Sequence, residues 1–236
     1  MRSLPLGAAA LVGAGAVWSA PALAPFVPAA AAALHIRTRL GRPHGVALTF
    51  DDGPHRDGTP AVLEQLDRAA AVATFFLVGE QVERLPSLAG EIAAAGHEIA
   101  LHGYLHRPLP ARLSRALDSD LDRATALIED ATDRSPVCYR PPYGVFSIGA
   151  LGLVRRRGLE PVLWSRWGAD WRRRTTPERI ARMVTQRLQA GDVVLLHDAD
   201  HYSSPGSWRK TVDALPAIVE SATALGEPLV SVTQST

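Results

Sequence analysis

The sequence predicts an α/β fold in which successive βα units surround a mainly parallel sheet. From Val46 onward, short apolar runs alternate with segments whose apolar residues recur at helical spacing, the pattern of such units. Turn residues support these divisions, because glycine follows several predicted helices, where a left-handed chain ending is needed, and proline enters the first turn of two. The glycines are Gly96, Gly158, Gly191 and Gly226, and the prolines are Pro86 and Pro177.

Seven strands are predicted, at Val46–Phe50, Val72–Val78, His97–Leu101, Val137–Arg140, Pro161–Ser165, Asp192–Leu196 and Pro228–Val232. Six helices are predicted, at Thr59–Ala70, Pro86–Ala95, Ser114–Ala131, Ile148–Arg157, Pro177–Gln189 and Arg209–Leu225. About two hundred residues lie beyond the N-terminal region, enough to bury the core of one domain but not to build a second catalytic domain.

The N-terminal region has the composition of an export segment. After Arg2 the chain contains no Lys, Arg, Asp or Glu until Arg37, and Leu4–Ala20 is small and apolar. A basic start followed by an apolar run and small residues is typical of a secretory signal. The stretch Leu4–Phe26 is also long enough to span a bilayer. Either interpretation predicts that the rest of the protein lies outside the cytoplasm.

Removal of the export segment stays open from the sequence. The small residues Ala22–Ala24 fit a cleavage site, but Pro25 would follow the cut and disfavours it. We divide the chain into a signal peptide or membrane anchor at 1–36, a linker at 37–45 and a folded domain at 46–236.

Charge and cysteine content exclude several classes of protein. The formal net charge is +1, and the clusters Arg155–Arg157 and Arg172–Arg174 are interpreted as solvated surface, so we expect no nucleic-acid partner. Membrane contact is expected only through the N-terminal region. The single cysteine, Cys138, excludes an internal disulfide and a cysteine-rich metal site. Its apolar surroundings predict a buried structural thiol.

Polar side chains collect at the carboxyl ends of five predicted strands. Because parallel strands of a barrel all point the same way, those ends meet at one rim, the catalytic face. The residues are Asp51 and Asp52 after the first strand, His102 and His106 after the third, Arg140–Tyr143 after the fourth, Asp170 after the fifth, and His197 with Asp198 after the sixth. Random surface polarity would not favour the same end of five strands, so we expect one active site there.

The pair His102 and His106 predicts a metal site when it is combined with Asp52. Two histidines four residues apart lie on one side of a helical turn. A carboxylate from another strand end completes three ligands and leaves positions for water or substrate. This set of nitrogen and oxygen ligands favours one zinc ion, with cobalt, nickel and iron as alternatives. The pair alone would more often be two hydrogen-bonding loop histidines.

Two further residues have the chemistry of proton carriers. Neighbouring residues on an extended chain point to opposite sides, so Asp51 can accept a proton from water if Asp52 binds the metal. His197 can donate a proton to a leaving amine, with Asp170 stabilising its charged form. Taken alone, the two aspartates also fit a polar turn, and His197 also fits a hydrogen-bonded histidine at the edge of the core.

With these residues the chain resembles the polysaccharide deacetylases, the NodB-homology domains of carbohydrate esterase family four. The resemblance covers about Ala47 to Val232 and consists of five motifs in order. They are Thr49–Pro54 (TFDDGP), His102–His106 (HGYLH), Arg140–Gly144 (RPPYG), Asp170–Trp171 (DW) and Leu195–Asp198 (LLHD). Each motif alone is modest evidence, but five in this order and at fitting spacing are very specific.

The resemblance implies a distorted, incomplete parallel β/α barrel and metal-dependent removal of N-acetyl groups from a polysaccharide. It implies that Asp51 is the catalytic base, that Asp52, His102 and His106 bind the metal, and that His197 is the general acid. It also implies supporting roles, in which Arg140 orients Asp51, Asp170 tunes His197, the backbone N–H of Tyr143 stabilises the oxyanion, and Pro141, Trp171 and Leu195 contact the substrate.

Two positions depart from the family pattern. The family often has Ser or Thr where this chain has Gly103, so a hydrogen bond that stabilises the second motif is expected to be missing. The family usually has an acidic residue where this chain has Trp167. Trp167 is expected either to enlarge an aromatic wall with Trp164 and Trp171 or to pack beneath the rim.

Three other functions are compared with deacetylation. An O-acetyl esterase, of the kind that acts on xylan, would use the same chemistry. A phosphatase of the haloacid dehalogenase type needs an aspartate where this chain has Gly53, and a late lysine for which only Lys210 is available. A non-catalytic glycan-binding relative would usually have lost the base or a metal ligand, and this chain keeps both.

Overall fold

The computed structural model describes residues 23–109 and 114–233. In these ranges seven strands form one sheet, and all six pairs of neighbouring strands are parallel. The strands are β1 Ala47–Asp51, β2 Thr74–Leu77, β3 Glu98–Leu101, β4 Cys138–Tyr139, β5 Glu160–Pro161, β6 Arg166–Trp167 and β7 Val193–His197. Their order across the sheet is β5-β4-β3-β2-β1-β7-β6, and β5 does not pair with β6. The prediction of an incomplete parallel β/α barrel with about seven strands is confirmed.

Eight α-helices cover the sheet in the described ranges. They are α1 Pro28–Ala33, α2 Gly58–Arg68, α3 Gly79–Arg84, α4 Pro86–Ala94, α5 Ser114–Thr132, α6 Ile148–Arg156, α7 Pro177–Thr185 and α8 Ser207–Ala224. The predicted helices match α2 and α4 to α8 within a few residues at most ends, and α1 and α3 were not predicted. No helix in the described part of the chain combines the length and the apolar composition needed to cross a bilayer.

The central strands β1, β2 and β7 are buried along almost their whole length, whereas β5 and β6 at the two edges are partly exposed. Leu48 and Phe50 belong to the larger apolar cluster, whereas Ala47 belongs to the smaller one with Cys138. The rings of Phe50 and Phe75 stack with centroids 5.1 Å apart. Cys138 is a buried free thiol, as predicted, and burial raises its pKa to about 12.

Two strand predictions are wrong. The predicted strand Pro161–Ser165 shares only Pro161 with β5, and residues 163–165 lie in no strand. Pro228–Val232 forms no strand, and only Leu229 makes a single bridge to Val46. Proline at 228 has no N–H to donate, and the N–H of Val232 donates to side-chain oxygens of Thr74 and Glu98 instead of to a strand. The strand that brings the total to seven is instead β6, which is two residues long and was not predicted from the sequence pattern.

The chain ahead of β1 packs on the barrel over its described length. Ile36 and Leu40 are buried. The N–H of Arg37 donates to Pro161 at 3.0 Å, and its carbonyl accepts from Leu163 at 2.7 Å, so this segment covers the edge at β5. Residues 1–22, which carry most of the predicted export segment, lie outside the described residues. The division of the chain at 36 and 45 stays a prediction.

Candidate active site

The carboxyl end of β1 presents two buried carboxylates. Asp51 is the last residue of the strand, and Asp52 follows with a left-handed φ of 79°. The next residue must be small, because a Cβ on Gly53 would lie 2.5 Å from the carboxylate of Asp198. The strand register places Asp51 beside His197 at the end of β7. The two strands therefore deliver the predicted base and acid to the same place.

Asp52, His102 and His106 come together as a group that can hold a metal ion. One ligand atom from each lies within 4.8 Å of the others. The Oδ1 atom of Asp52 lies 3.2 Å from Nε2 of His106 and 3.5 Å from Nε2 of His102. Zinc bonds of about 2.0–2.1 Å at tetrahedral angles separate ligand atoms by roughly 3.3 Å. The spacing around Asp52 therefore fits a small divalent ion.

The buried polar atoms of this group also fit a metal. Oδ1 of Asp52 is buried and accepts no well-formed hydrogen bond within the described chain. Burial alone would raise the pKa of Asp52, but polar contacts with His102 and His106 hold that pKa well below its usual value. Nδ1 of His102 lies 2.8 Å from the carbonyl oxygen of Arg140. Donation from Nδ1 to that carbonyl leaves the Nε2 lone pair free to bind a metal.

The turn that carries the two histidines is held by a residue that sequence reasoning missed. Gly103 has a φ of 89°, a conformation that favours glycine. The carboxylate of Asp120, on α5, accepts from the N–H of Tyr104 at 2.9 Å and from that of Leu105 at 3.4 Å. The N–H of Gly79, at the start of α3, donates to the carbonyl of Gly103 at 2.8 Å. These hydrogen bonds hold the turn in place, although Gly103 lacks the side-chain hydroxyl that the family often has at this position.

Arg140 fixes Asp51 beside the three residues that could hold a metal ion, with Oδ2 of Asp51 4.0 Å from Nε2 of His102. Its guanidinium is fully buried, and Nη1 donates to Oδ1 of Asp51 at 2.6 Å and to the hydroxyl of Thr49 at 2.8 Å. Nη2 donates to the carbonyl of Leu163 at 2.9 Å. The group also lies over the ring of Phe76, 4.0 Å from its centroid. Asp51 is thus fixed by a buried, charge-assisted hydrogen bond, the arrangement expected of an oriented base.

His197 is bound to Asp170 on two sides. Its Nδ1 lies 3.0 Å from Oδ1 of Asp170, and its backbone N–H donates to Oδ2 at 2.7 Å. The hydroxyl of Thr211 donates to the same Oδ2 at 2.9 Å. Burial would lower the pKa of His197, but the charge and hydrogen bond of Asp170, with smaller effects of Asp52 and Asp51, raise it to about 10. The ring is therefore protonated at neutral pH, as a general acid must be.

Asp170→Asn is expected to move the alkaline limb of the pH profile of kcat/KM downward. A raised pKa keeps His197 protonated below about 10, and without the carboxylate the pKa falls toward its ordinary 6.5 or lower. At pH 8 the protonated fraction would then drop by about thirtyfold, with little change at pH 5.5. The profile is measured as acetate release at graded pH. Thr211→Val is the control, and a limb that Asp170→Asn leaves in place would contradict the assigned partner.

Tyr143 is the one non-glycine residue of the third motif with a left-handed backbone conformation. Its φ is 62° and its ψ is 6°, a strained conformation for a non-glycine residue. The N–H groups of Gly144 and Val145 donate to carbonyls of the turn, whereas that of Tyr143 donates to no atom in the described residues. This leaves it available to an oxyanion. Pro141 is buried, and its carbonyl accepts from Gly144, so it shapes the turn without lining the cleft.

One cleft contains these groups and has an aromatic wall. It is lined by Pro25, Phe26, Asp51, Asp52, His102, His106, Tyr143, Gly144, Trp164, Trp167, Trp171, Arg172, Leu195, His197, Tyr202 and Ser203. Trp171 meets His197 edge to face, with ring centroids 5.4 Å apart. The predicted substrate contacts Trp171 and Leu195 therefore lie on the cleft. Of the two alternatives for Trp167, its position on the cleft supports the aromatic wall.

Tyr202 is a second residue that the sequence did not indicate. Its ring lies parallel to that of His106, with centroids 4.2 Å apart and planes at 7°. Tyr143 meets the same imidazole edge to face at 4.6 Å. The Tyr202 hydroxyl donates to Oε1 of Glu80 at 2.7 Å. His106 has no hydrogen bond at Nδ1 within the described chain, so aromatic packing orients it where a hydrogen bond usually would.

Together these groups have the composition of a hydrolase that acts with a metal ion on an amide or ester. Two imidazoles and a carboxylate are placed so that they could hold one metal ion, a second carboxylate beside them is bound to a buried arginine, and an imidazole bound to Asp170 faces the same space. Three protein ligands leave open positions, which is the pattern of a catalytic rather than a structural metal site.

Comparisons with known proteins assign the family. The family model described as Polysaccharide deacetylase matches residues 40–162. The chain is 34% identical over 191 residues to a peptidoglycan-N-acetylglucosamine deacetylase of Bacillus cereus, covering 80% of this chain and 86% of that protein. It is 32% identical over 188 residues to a chitooligosaccharide deacetylase of Azorhizobium caulinodans, covering 77% and 89%.

A solved structure agrees with the sequence matches. The crystal structure of a peptidoglycan N-acetylglucosamine deacetylase in complex with 4-naphthalen-1-yl-N-oxidanyl-benzamide is similar to this chain with a TM-score of 0.78 at 28% identity, covering 85% of this chain and 91% of that chain. The protein belongs to the polysaccharide deacetylase family, as the motifs predicted. The family match contains the first three motifs, and Asp170 and His197 lie beyond it.

Proposed function

We propose that this protein hydrolyses N-acetyl groups of a polysaccharide containing N-acetylglucosamine, such as peptidoglycan or a chitin-like chain, and releases acetate. The proposal includes one divalent metal ion, most simply zinc, bound by Asp52, His102 and His106. The observation that carries it is that these three residues share one cleft with Asp51 and His197. Arg140 holds the carboxylate of Asp51, and Asp170 holds the imidazole of His197. The similarity to deacetylases of both glycans supports the substrate class.

The residues supply what amide hydrolysis requires. A metal ion bound there would polarise the acetyl carbonyl and lower the pKa of a water molecule. Asp51, held by Arg140, accepts the proton of the attacking water as the oxygen–carbon bond forms. The N–H of Tyr143 donates to the carbonyl oxygen as negative charge develops on it. His197 then protonates the amide nitrogen as the carbon–nitrogen bond breaks, which gives acetate and a free amine on the sugar.

The choice of metal follows from the donor atoms. Two imidazole nitrogens and one carboxylate oxygen suit zinc, and cobalt, nickel or iron would also accept them. Cysteine ligands play no part, since the only cysteine is buried in the smaller apolar cluster.

The cellular location is part of the proposal. The uncharged apolar stretch ahead of residue 37 supports export, either as a cleaved signal or as a membrane anchor. Acetylated wall or surface glycans lie outside the cytoplasm, so an exported enzyme would meet its substrate there.

An O-acetyl esterase would use the same residues, and a glycan-binding relative would use the same cleft. The esterase differs in its need for acid, because an alkoxide leaves more readily than an amide anion and depends less on His197. The binding relative is disfavoured because the base, the three ligands and the acid are all present and converge.

Removing the metal is expected to lower acetate release by about two orders of magnitude or more. The assay measures acetate from N-acetylglucosamine oligomers and from peptidoglycan, before and after treatment with EDTA, and Zn²⁺ is expected to restore the rate. Metal content is measured on the same samples. Undiminished release from protein shown to be free of metal would overturn the metal mechanism. Absence of acetate from every glycan by metal-loaded protein would instead favour the binding relative.

A further inference from the structure

A segment ahead of the part of the chain that the family model matches, residues 23–36, contributes side chains to the catalytic cleft. Pro25 and Phe26 line the same space as Asp51 and His197. The family match begins only at residue 40, so this wall comes from outside the part of the chain that the family model matches. A residue there can differ between relatives without changing the five motifs.

The segment is fixed in place by its small residues and by a neighbouring helix. Ala24 and Ala31 are buried, at 3% and 1% exposure, and belong to the main apolar cluster. The N–H of Phe26 donates to the carbonyl of Leu23 at 3.0 Å, which forms a turn. Arg155 donates to the carbonyls of Leu34 and His35 at the far end of α1. The position of Phe26 at the cleft is therefore set by packing on both sides.

Within residues 23–27 the larger apolar side chains face outward, the reverse of ordinary burial. Phe26 is 73% exposed and Leu23 is 57% exposed, whereas the adjacent Ala24 is buried. Exposed apolar side chains grouped beside a cleft are typical of ligand-binding surfaces. Trp167 and Tyr143 also line the cleft and are exposed. The cleft therefore has aromatic side chains at its mouth as well as in its wall.

Aromatic side chains at a wet opening suit a sugar chain. One face of a pyranose ring is largely C–H, and it packs on an aromatic ring while the hydroxyls at its edge keep their water. The cleft is continuous from the residues around the metal-ligand group to Phe26, so a glycan held at the reacting acetyl group can extend to it. A lipid bilayer is the alternative ligand for exposed apolar side chains. It would contact Leu23 as readily as Phe26, whereas only Phe26 of these two lines the cleft.

We infer that Phe26 is a specificity residue that packs against a sugar unit beyond the one that loses its acetyl group. The inference rests on the proposed deacetylase function. It predicts that the protein prefers oligomers long enough to reach the mouth of the cleft. Binding energy from such a remote unit is lost when that unit or its protein contact is removed.

The test compares Phe26→Ala with the matched control Leu23→Ala in the full chain, purified in detergent. The substrates are the N-acetylglucosamine pentamer and a small aryl acetate that does not reach the mouth of the cleft. Phe26→Ala is expected to raise KM for the pentamer by about tenfold, from the lost aromatic contact, with kcat and aryl acetate hydrolysis little changed. Leu23→Ala is expected to leave both substrates unaffected, and Phe26→Trp to restore the low KM.

The outcomes separate this inference from the proposed function. A pentamer KM that Phe26→Ala leaves unchanged would overturn the inference while deacetylation stands. Equal losses of activity on both substrates in Phe26→Ala would show a structural role and would also overturn the inference. If Phe26→Ala lost binding to phosphatidylglycerol vesicles but kept a normal KM for the pentamer, Phe26 would be a membrane contact, and the inference would again be overturned. If the unsubstituted protein hydrolyses the aryl acetate but no oligomer, the proposed function fails and the inference fails with it.

Discussion

Replacing Asp51 by asparagine is expected to lower acetate release by about a thousandfold while one metal ion stays bound per chain. In the unsubstituted protein Nη1 of Arg140 lies 2.6 Å from Oδ1 of Asp51. Asparagine keeps an oxygen that can accept this hydrogen bond, but it cannot take the proton of the attacking water. Metal content is expected to stay normal because Asp51 lies outside the group formed by Asp52, His102 and His106. The measurements are acetate release and metal analysis of the same preparation.

Asp52→Asn is the contrasting variant, and it is expected to lose both metal and activity. Loss of metal in Asp51→Asn with retention in Asp52→Asn would mean that the two carboxylates have exchanged roles. Because Arg140 is buried, loss of its charged partner also destabilises the fold, by about 3–5 kcal/mol if no acceptor replaces it. A normal metal content in Asp51→Asn shows that the variant is folded, so its activity can be interpreted.

His197→Ala is expected to slow hydrolysis of an N-acetyl amide by about two to four orders of magnitude and to slow hydrolysis of an activated aryl acetate much less. The amide nitrogen must be protonated as it leaves, whereas an aryl oxide leaves without a proton. His197 is held for this role by Asp170 at 3.0 Å, on the side of the cleft where its Nε2 lies 4.0 Å from Oδ2 of Asp52.

The control for His197→Ala is His201→Ala, a histidine four residues later that does not line the cleft. It is expected to change neither rate. Rates on both substrates are measured at pH 7, where His197 is protonated in the unsubstituted protein. Equal losses on the amide and the ester in His197→Ala would remove the general-acid role and favour a role in substrate placement.

The fold class and the position of the site could be predicted because both follow from regular patterns. Parallel strands carry their polar residues at one end, and β1, β3 and β7 deliver Asp51, His102 and His197 to one cleft as this rule requires. Short or irregular pairings follow no such rule. The two-residue strand β6 has too few residues to show a period. Pro228–Val232 has the period of a strand but, within the described residues, makes only the two backbone hydrogen bonds of one bridge, both with Val46.

The residues that support the site were not predictable, because their roles depend on distant contacts. Asp120 belongs to the polar face of a long helix in the sequence, and only the packing of α5 brings it to the backbone of Tyr104. Tyr202 lies in a loop between β7 and α8, and its parallel contact with His106 follows from the path of that loop. Phe26 belongs to an apolar stretch that composition assigns to export, which hides any second role.

If the chain is cut between Ala24 and Pro25, one of the two outcomes left open for the N-terminal region, the burial of Ala24 limits when the cut can occur. A protease needs an extended, accessible peptide bond, and the bond between Ala24 and Pro25 begins at a residue that is 3% exposed in the folded protein. A cut at this bond would therefore have to come before the barrel folds. It would leave Pro25 as the new N-terminus, and its amino group would carry a positive charge into the opening beside Phe26. Processing and substrate preference would then be linked through a single peptide bond.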